Sequence, residues 1–143
     1  MIRALFVVVT FCFFSSTSWS ASYGPYPLIT PIATDGDTIK ANMPVWPGLF
    51  VEAGIRVRGV DTPETNGSST CERDLARRAK AFTEMWITSN QPITISGVEP
   101  DKYSGRYAAV VTGRGGSVLA TELINAGHGR FYNGGARSPW CQP

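Results

Sequence analysis

Ten consecutive residues, Ile55-Arg56-Val57-Arg58-Gly59-Val60-Asp61-Thr62-Pro63-Glu64, set two arginines just ahead of two carboxylates. An Asp35-Gly36-Asp37-Thr38 turn precedes them, and a Gly105-Arg106 pair follows. Carboxylate oxygens suit a hard cation and can activate water. Guanidinium forks match the oxygens of a phosphate. A chain holding both has the groups needed for metal-dependent hydrolysis of a phosphodiester. The acidic residues fall in two clusters, each beside a predicted strand, so one rim of a sheet can gather them. Two carboxylates with a backbone carbonyl leave positions for water and substrate phosphate, as a catalytic metal requires.

Other chemistries fit less well. Counted from Asp35, the twelfth residue of a calcium loop is Trp46, where an EF-hand needs a bidentate Glu. The single His128 and one cysteine pair match no closed zinc site, and nothing supports a Ser-His-Asp triad. His128 lies just past a predicted helix and is placed to cap its negative end. Taken singly, each piece has an ordinary reading. Asp-Thr-Pro-Glu is a turn, and Arg56 and Arg58 are solvated strand arginines. Their joint order carries the signal.

The frame that must position these groups is rich in short strands. The pattern predicts a first strand around 28–33, which Pro31 confines to an edge or bulge, and a second over 38–43. Residues 50–60 form a third, with Ile55, Val57 and Gly59 on one face and Arg56 and Arg58 on the other, so the two arginines can meet one ligand. Ser69-Thr70-Cys71-Glu72 fits a capping box for a helix that ends before Asn90, with Leu75, Ala79, Phe82 and Trp86 at helical spacing. Its arginines and lysine read as a solvated face. Two more strands follow at 92–98 and 107–112, then a short helix over 117–126 stopped by Gly127. The tail from His128 reads as a packed loop. Five strands with a helix after the third and another after the fifth predict a small closed or nearly closed barrel.

The N-terminus stands apart. Met1-Ile2-Arg3 is a positive start, residues 4–14 are almost wholly apolar, and 15–21 are small and polar. That run is shorter than the ~20 residues of a membrane-spanning helix. It reads as a signal peptide over 1–20, which implies export to the periplasm or outside the cell. Residues 21–143 then form one domain, and a full-chain composition of 43% hydrophobic and 17% charged residues is ordinary for a folded protein, so disorder is not the default reading. Once Arg3 is removed the net charge falls from +2 to about +1, too weak for an architectural nucleic-acid binder. Any nucleic-acid role must rest on a local site. Loss of Cys12 leaves Cys71 and Cys141, an even pair expected to form a disulfide in an oxidising compartment. The alternative for Cys71 is a reactive thiol near a helix start.

Across roughly 28–131 the chain resembles the staphylococcal nuclease, or thermonuclease-like, family. The motifs that carry the resemblance are Asp35-Gly36-Asp37-Thr38, Arg56 through Glu64, Asp101-Lys102-Tyr103-Ser104-Gly105-Arg106 and the helix end at 123–127. The resemblance implies an α+β fold, a five-stranded OB-fold β-barrel with flanking α-helices. It also implies a calcium ion and hydrolysis of DNA and RNA. By motif position it makes Asp37 and Asp61 metal ligands, with Thr62 donating its backbone carbonyl and Asp35 acting through water. Glu64 becomes the general base for the attacking water, and Arg56 and Arg106 the phosphate-binding pair. Lys102 and Tyr103 match residues that bind a terminal phosphate.

The family pattern runs Tyr-Gly-Arg, whereas Ser104 is inserted here. Gly105-Arg106 keeps its phase with the strand that follows, so a bulge is expected before Arg106 and the displacement falls on Lys102 and Tyr103. The expected protein is a monomeric calcium-dependent endonuclease, with no membrane association in its mature form and no protein partner. A catalytically inactive OB-fold module binding nucleic acid or protein is the alternative, and a secreted domain holding calcium only for stability is a third reading.

Overall fold

A computed structural model describes residues 24–141. The expected leader, with Cys12, lies outside the described residues. The elements run β1 (Tyr26–Pro27), β2 (Ile29–Asp35), β3 (Thr38–Trp46), β4 (Leu49–Val57), β5 (Gly59–Asp61), α1 (Thr70–Ser89), β6 (Thr94–Pro100), β7 (Arg106–Thr112), α2 (Leu119–Asn125) and β8 (Arg130–Tyr132). Six strands make one curled sheet in the order β1-β6-β7-β4-β3-β2, and β5 pairs with β8 in a second. Neighbours are antiparallel except β4 and β7. This curled half-barrel with two helices is the α+β OB-fold architecture, and β2, β3, β4, β6 and β7 are the five strands expected from the sequence.

Alternation along the strands builds the core. Ile39, Ala41 and Met43 of β3 and Ala53, Ile55 and Val57 of β4 point inward against Ile95, Val111, Leu119 and Leu123. Pro31, which cannot donate to a ladder, sits on edge strand β2 where the register slips between Ile29 and Ile32. Helix α1 turns a slightly different face inward than its largest side chains imply. Ala76, Ala79, Thr83, Trp86 and Ile87 are buried, while Leu75 and Phe82 lie at the margin. Small residues face inward because the β2–β3 turn comes close. A Cβ on Gly36 would stand 2.7 Å from Ala79 Cβ and 2.7 Å from Thr62 Oγ1. Thr83 Oγ1 donates to the Gly36 carbonyl at 2.5 Å. The helix therefore fixes the turn that carries Asp35 and Asp37.

The N-terminus of α1 is capped by Ser69, whose Oγ accepts from the Glu72 N–H at 3.1 Å. Glu72 does not complete the box by reaching back to Ser69. Its carboxylate accepts the Glu64 N–H at 3.4 Å and so ties the Glu64 backbone to the helix start. Helix α2 ends on Gly127 (φ +73), where the N–H groups of Gly127 and His128 take the Ile124 and Leu123 carbonyls. Those backbone donors do the capping expected of His128. Its ring instead packs 5.1 Å from that of Phe82.

The tail is not wholly a loop, because Arg130–Tyr132 pairs with β5 and sets Arg130 directly opposite Asp61. Beyond it, Cys141 is bonded to Cys71 in the first turn of α1. A bridge across a separation of 70 residues stabilises by about 4 kcal/mol in the loop-entropy account. Reduction is expected to lower the melting temperature by roughly 10–20 °C. An unchanged melting temperature with both thiols titratable would contradict the bridge.

Candidate active site

Two buried carboxylates form the floor of the site. Asp37 leaves the β2–β3 turn and Asp61 ends β5, and both are at most 1% exposed. The Thr62 N–H donates to Asp37 Oδ2 at 2.9 Å, which draws the two strand ends together. Arg56, on the non-core face of β4, inserts between the acids. Its Nη1 donates to Asp37 Oδ1, and its Nη2 lies 3.6 Å from Asp61 Oδ1. That second distance is too long for a hydrogen bond, and Arg56 Nη2 is buried without a partner. Asp61 Oδ1 and Thr62 Oγ1 likewise have no hydrogen-bond partner; the Arg137 Nε, 3.1 Å from Asp61 Oδ1, is out of line for one.

Above this floor opens a cleft of about 580 Å³ lined by Asp35, Arg56, Glu64, Lys102, Arg106 and Arg137, among others. Asp35 and Glu64 stand close enough to influence each other. Burial, then the charge of Glu64, raises the Asp35 pKa above 3.8 against the lowering pull of the Gly36 N–H. Arg106, at the start of β7, donates from Nε to Asp101 Oδ2 at 2.5 Å and lies 4.4 Å from the Tyr103 ring. Burial, the largest single influence, opposes the charge on Asp101, but the Arg106 hydrogen bond, the Lys102 N–H and the charges of Arg106 and Arg56 together outweigh it, so the Asp101 pKa is lowered.

The extra Ser104 is absorbed in the turn and not by a bulge in β7. The Arg106 N–H donates to the Tyr103 carbonyl at 3.2 Å across Ser104 and Gly105, whose φ of +74° suits only glycine without strain. The register slip in this hairpin lies on the facing strand, between Ser96 and Glu99. Lys102 and Tyr103 stay on the cleft wall as an exposed pair.

Arg58 does not join Arg56. The chain breaks from β4 into β5 there, and the Arg58 Nη2 donates to the Gly97 carbonyl at 2.6 Å and pairs with Glu99 at 3.1 Å. The expectation that both arginines meet one ligand fails for that reason. Asp101, part of the motif but given no role there, holds Arg106, and two residues outside the motifs also belong to the site: Arg130 donates to Asp61 Oδ2 at 3.1 Å, and Arg137 donates to Glu64 Oε1. The cysteine pairing is the signal that points to the last two. A tail bonded to Cys71 must pass near Glu64, seven positions earlier in the chain.

The donors fit a hard, oxygen-seeking cation. Asp37 and Asp61 are buried carboxylates on either side of the Arg56 guanidinium, and one oxygen of Asp61 is left without a hydrogen bond. Among the described residues no group of three or more His, Cys, Asp or Glu side chains forms a metal cluster. The remaining ligands would be carbonyl, water or phosphate oxygens.

Burial raises the Asp37 pKa to about 6, although Arg56 pulls it down. Between about 3.8 and 6 the native state holds a proton that the unfolded chain has released. Asp37 therefore makes metal-free stability fall as pH rises through that window, by about 3 kcal/mol. Denaturant unfolding in chelator should show this decline, and Asp37→Asn should flatten it. An identical pH profile in the variant would contradict the burial argument.

A family model described as staphylococcal nuclease homologue matches residues 54–139, from within β4 to the tail. Asp35 and Asp37 lie just upstream of the match. No curated protein matches the chain.

Proposed function

Since this chain belongs to the staphylococcal nuclease homologue family, we propose that it is a calcium-dependent endonuclease that hydrolyses DNA and RNA phosphodiester bonds. The observation that carries this reading is the pair of buried carboxylates, Asp37 and Asp61, flanking Arg56, which lines a cleft together with Glu64 and Arg106. Asp37, Asp61 and the Thr62 carbonyl would hold the calcium ion, with Asp35 acting through water. When bound, such an ion neutralises phosphate charge and acidifies water.

The chain's own groups supply the rest. Glu64 takes the proton of the attacking water. Arg56, at the cleft wall, donates to one phosphate oxygen, and Arg106, oriented by Asp101, donates to a second as negative charge builds there. Lys102 and Tyr103 bind a flanking phosphate from the cleft wall. Export follows from the leader at 1–20, and the mature domain at 21–143 acts as a monomer in the periplasm or outside the cell.

Labelled single-stranded DNA and RNA incubated with the mature protein and calcium test this reading. Cleavage of both strands supports it. Folded protein that binds both strands without cutting either would favour the inactive OB-fold binding module.

A further inference from the structure

The last stretch of chain closes one side of the cleft, and its path is anchored on both sides of Arg137. Upstream, the Tyr132 hydroxyl donates to the Gly135 carbonyl at 2.8 Å. Downstream, Arg130 donates to the Ser138 and Pro139 carbonyls, its guanidinium lies 4.1 Å from the Trp140 ring, and Cys141 is bonded to Cys71. Between these anchors Arg137 reaches inward. Its Nη1 donates to Glu64 Oε1 and its Nε lies 3.1 Å from Asp61 Oδ1. The side chain nevertheless stays 38% exposed and lines the same cleft as Arg56, Lys102 and Arg106. Arg56 is only 12% exposed, held between its two acids.

We propose that Arg137 is a further substrate-contacting residue, a third cleft arginine that takes a phosphate oxygen of the bound strand, and that the Cys71–Cys141 bridge positions it. This rests on the nuclease reading. The chain as a whole is nearly neutral, so affinity for a polyanion must come from the cleft. Arg137 adds a third guanidinium to the lining of the cleft that holds Arg56 and Arg106. A residue that merely plugged the site would fill the cleft, whereas about 580 Å³ stays open beside it. The tail can hold an arginine in place only if its end is fixed, and the disulfide fixes it.

Fluorescence anisotropy with labelled oligothymidylate tests the proposal, in chelator so that no strand is cut, over a range of salt concentrations. Arg137→Ala should weaken binding about tenfold. It should also reduce the slope of log affinity against log salt by about 0.7, one phosphate contact on a single strand. Arg137→Lys should restore the slope but not the full affinity. Reducing the disulfide in wild-type protein should reproduce the loss, and Arg137→Ala should add little in the reduced protein, because the two changes remove one contact. Unchanged affinity and slope in Arg137→Ala overturn the proposal, and so does tighter binding, which would mark the tail as inhibitory. Absence of binding by folded wild-type protein overturns it as well. Cleavage by wild-type protein in calcium decides the nuclease reading separately. Arg137→Ala leaves the bridge intact, so its result stands even if reduction unfolds the protein.

Discussion

Replacing Glu64 by glutamine is expected to lower turnover on DNA and RNA by about 10²–10⁴-fold while leaving the fold intact. Glutamine keeps the shape of the side chain and most of its hydrogen bonding, but it cannot take a proton from water. Glu64 is half-buried at the cleft wall, with its backbone held by Glu72 and its carboxylate by Arg137. Neither contact contributes to the core, so the melting temperature should stay within a few degrees of wild type. Steady-state cleavage and thermal melts on the same preparation check both halves. Near-normal turnover would remove Glu64 from the base role. A large drop in melting temperature would mean that lost activity reflects unfolding.

The second large effect is on stability. Arg56→Ala should destabilise the metal-free protein by about 3–5 kcal/mol at neutral pH, because it leaves buried carboxylate charge without its cation. Asp61 would keep Arg130 and Arg137 close by, but Asp37 would keep only the Thr62 N–H and the neighbouring Thr38 hydroxyl. The defect should therefore centre on Asp37 and shrink as acid protonates it. Calcium should recover much of the loss, since an ion on the same carboxylates supplies the missing charge. Turnover should not recover, because the phosphate donor is gone. Melts of the variant in chelator and in calcium test this. A variant that melts with wild type in chelator would contradict the view that Arg56 balances the acidic floor.

The parts of the site that lie in one local motif were legible from sequence. The Asp35–Thr38 turn, the Arg56–Glu64 run and the Ser69 cap each occupy a few consecutive residues, and turn chemistry or strand alternation places them. The Cys71–Cys141 pairing followed from an even cysteine count in a chain expected to be exported. Contacts made across the fold were not legible. Strand β8 has three residues, too few for periodicity to show, yet its register sets Arg130 against Asp61. Arg58 shares the alternation of Arg56 but loses its company where β4 gives way to β5. Nothing local to Arg137 marks it, because its acidic partners are 73 and 76 positions away. The helix face that meets the β2–β3 turn departs from the large apolar stripe for a related reason. Large apolar side chains mark the expected core, whereas close approach at Gly36 selects Ala79 and Thr83.

The most direct test is the rate of single-stranded DNA cleavage by the mature protein as calcium is added and then removed with chelator, with Glu64→Gln beside it. The account predicts cleavage that rises with calcium, stops on chelation, returns when calcium is restored, and is all but absent in the variant. Cleavage that continues undiminished in excess chelator, or that proceeds equally in the variant, would contradict it.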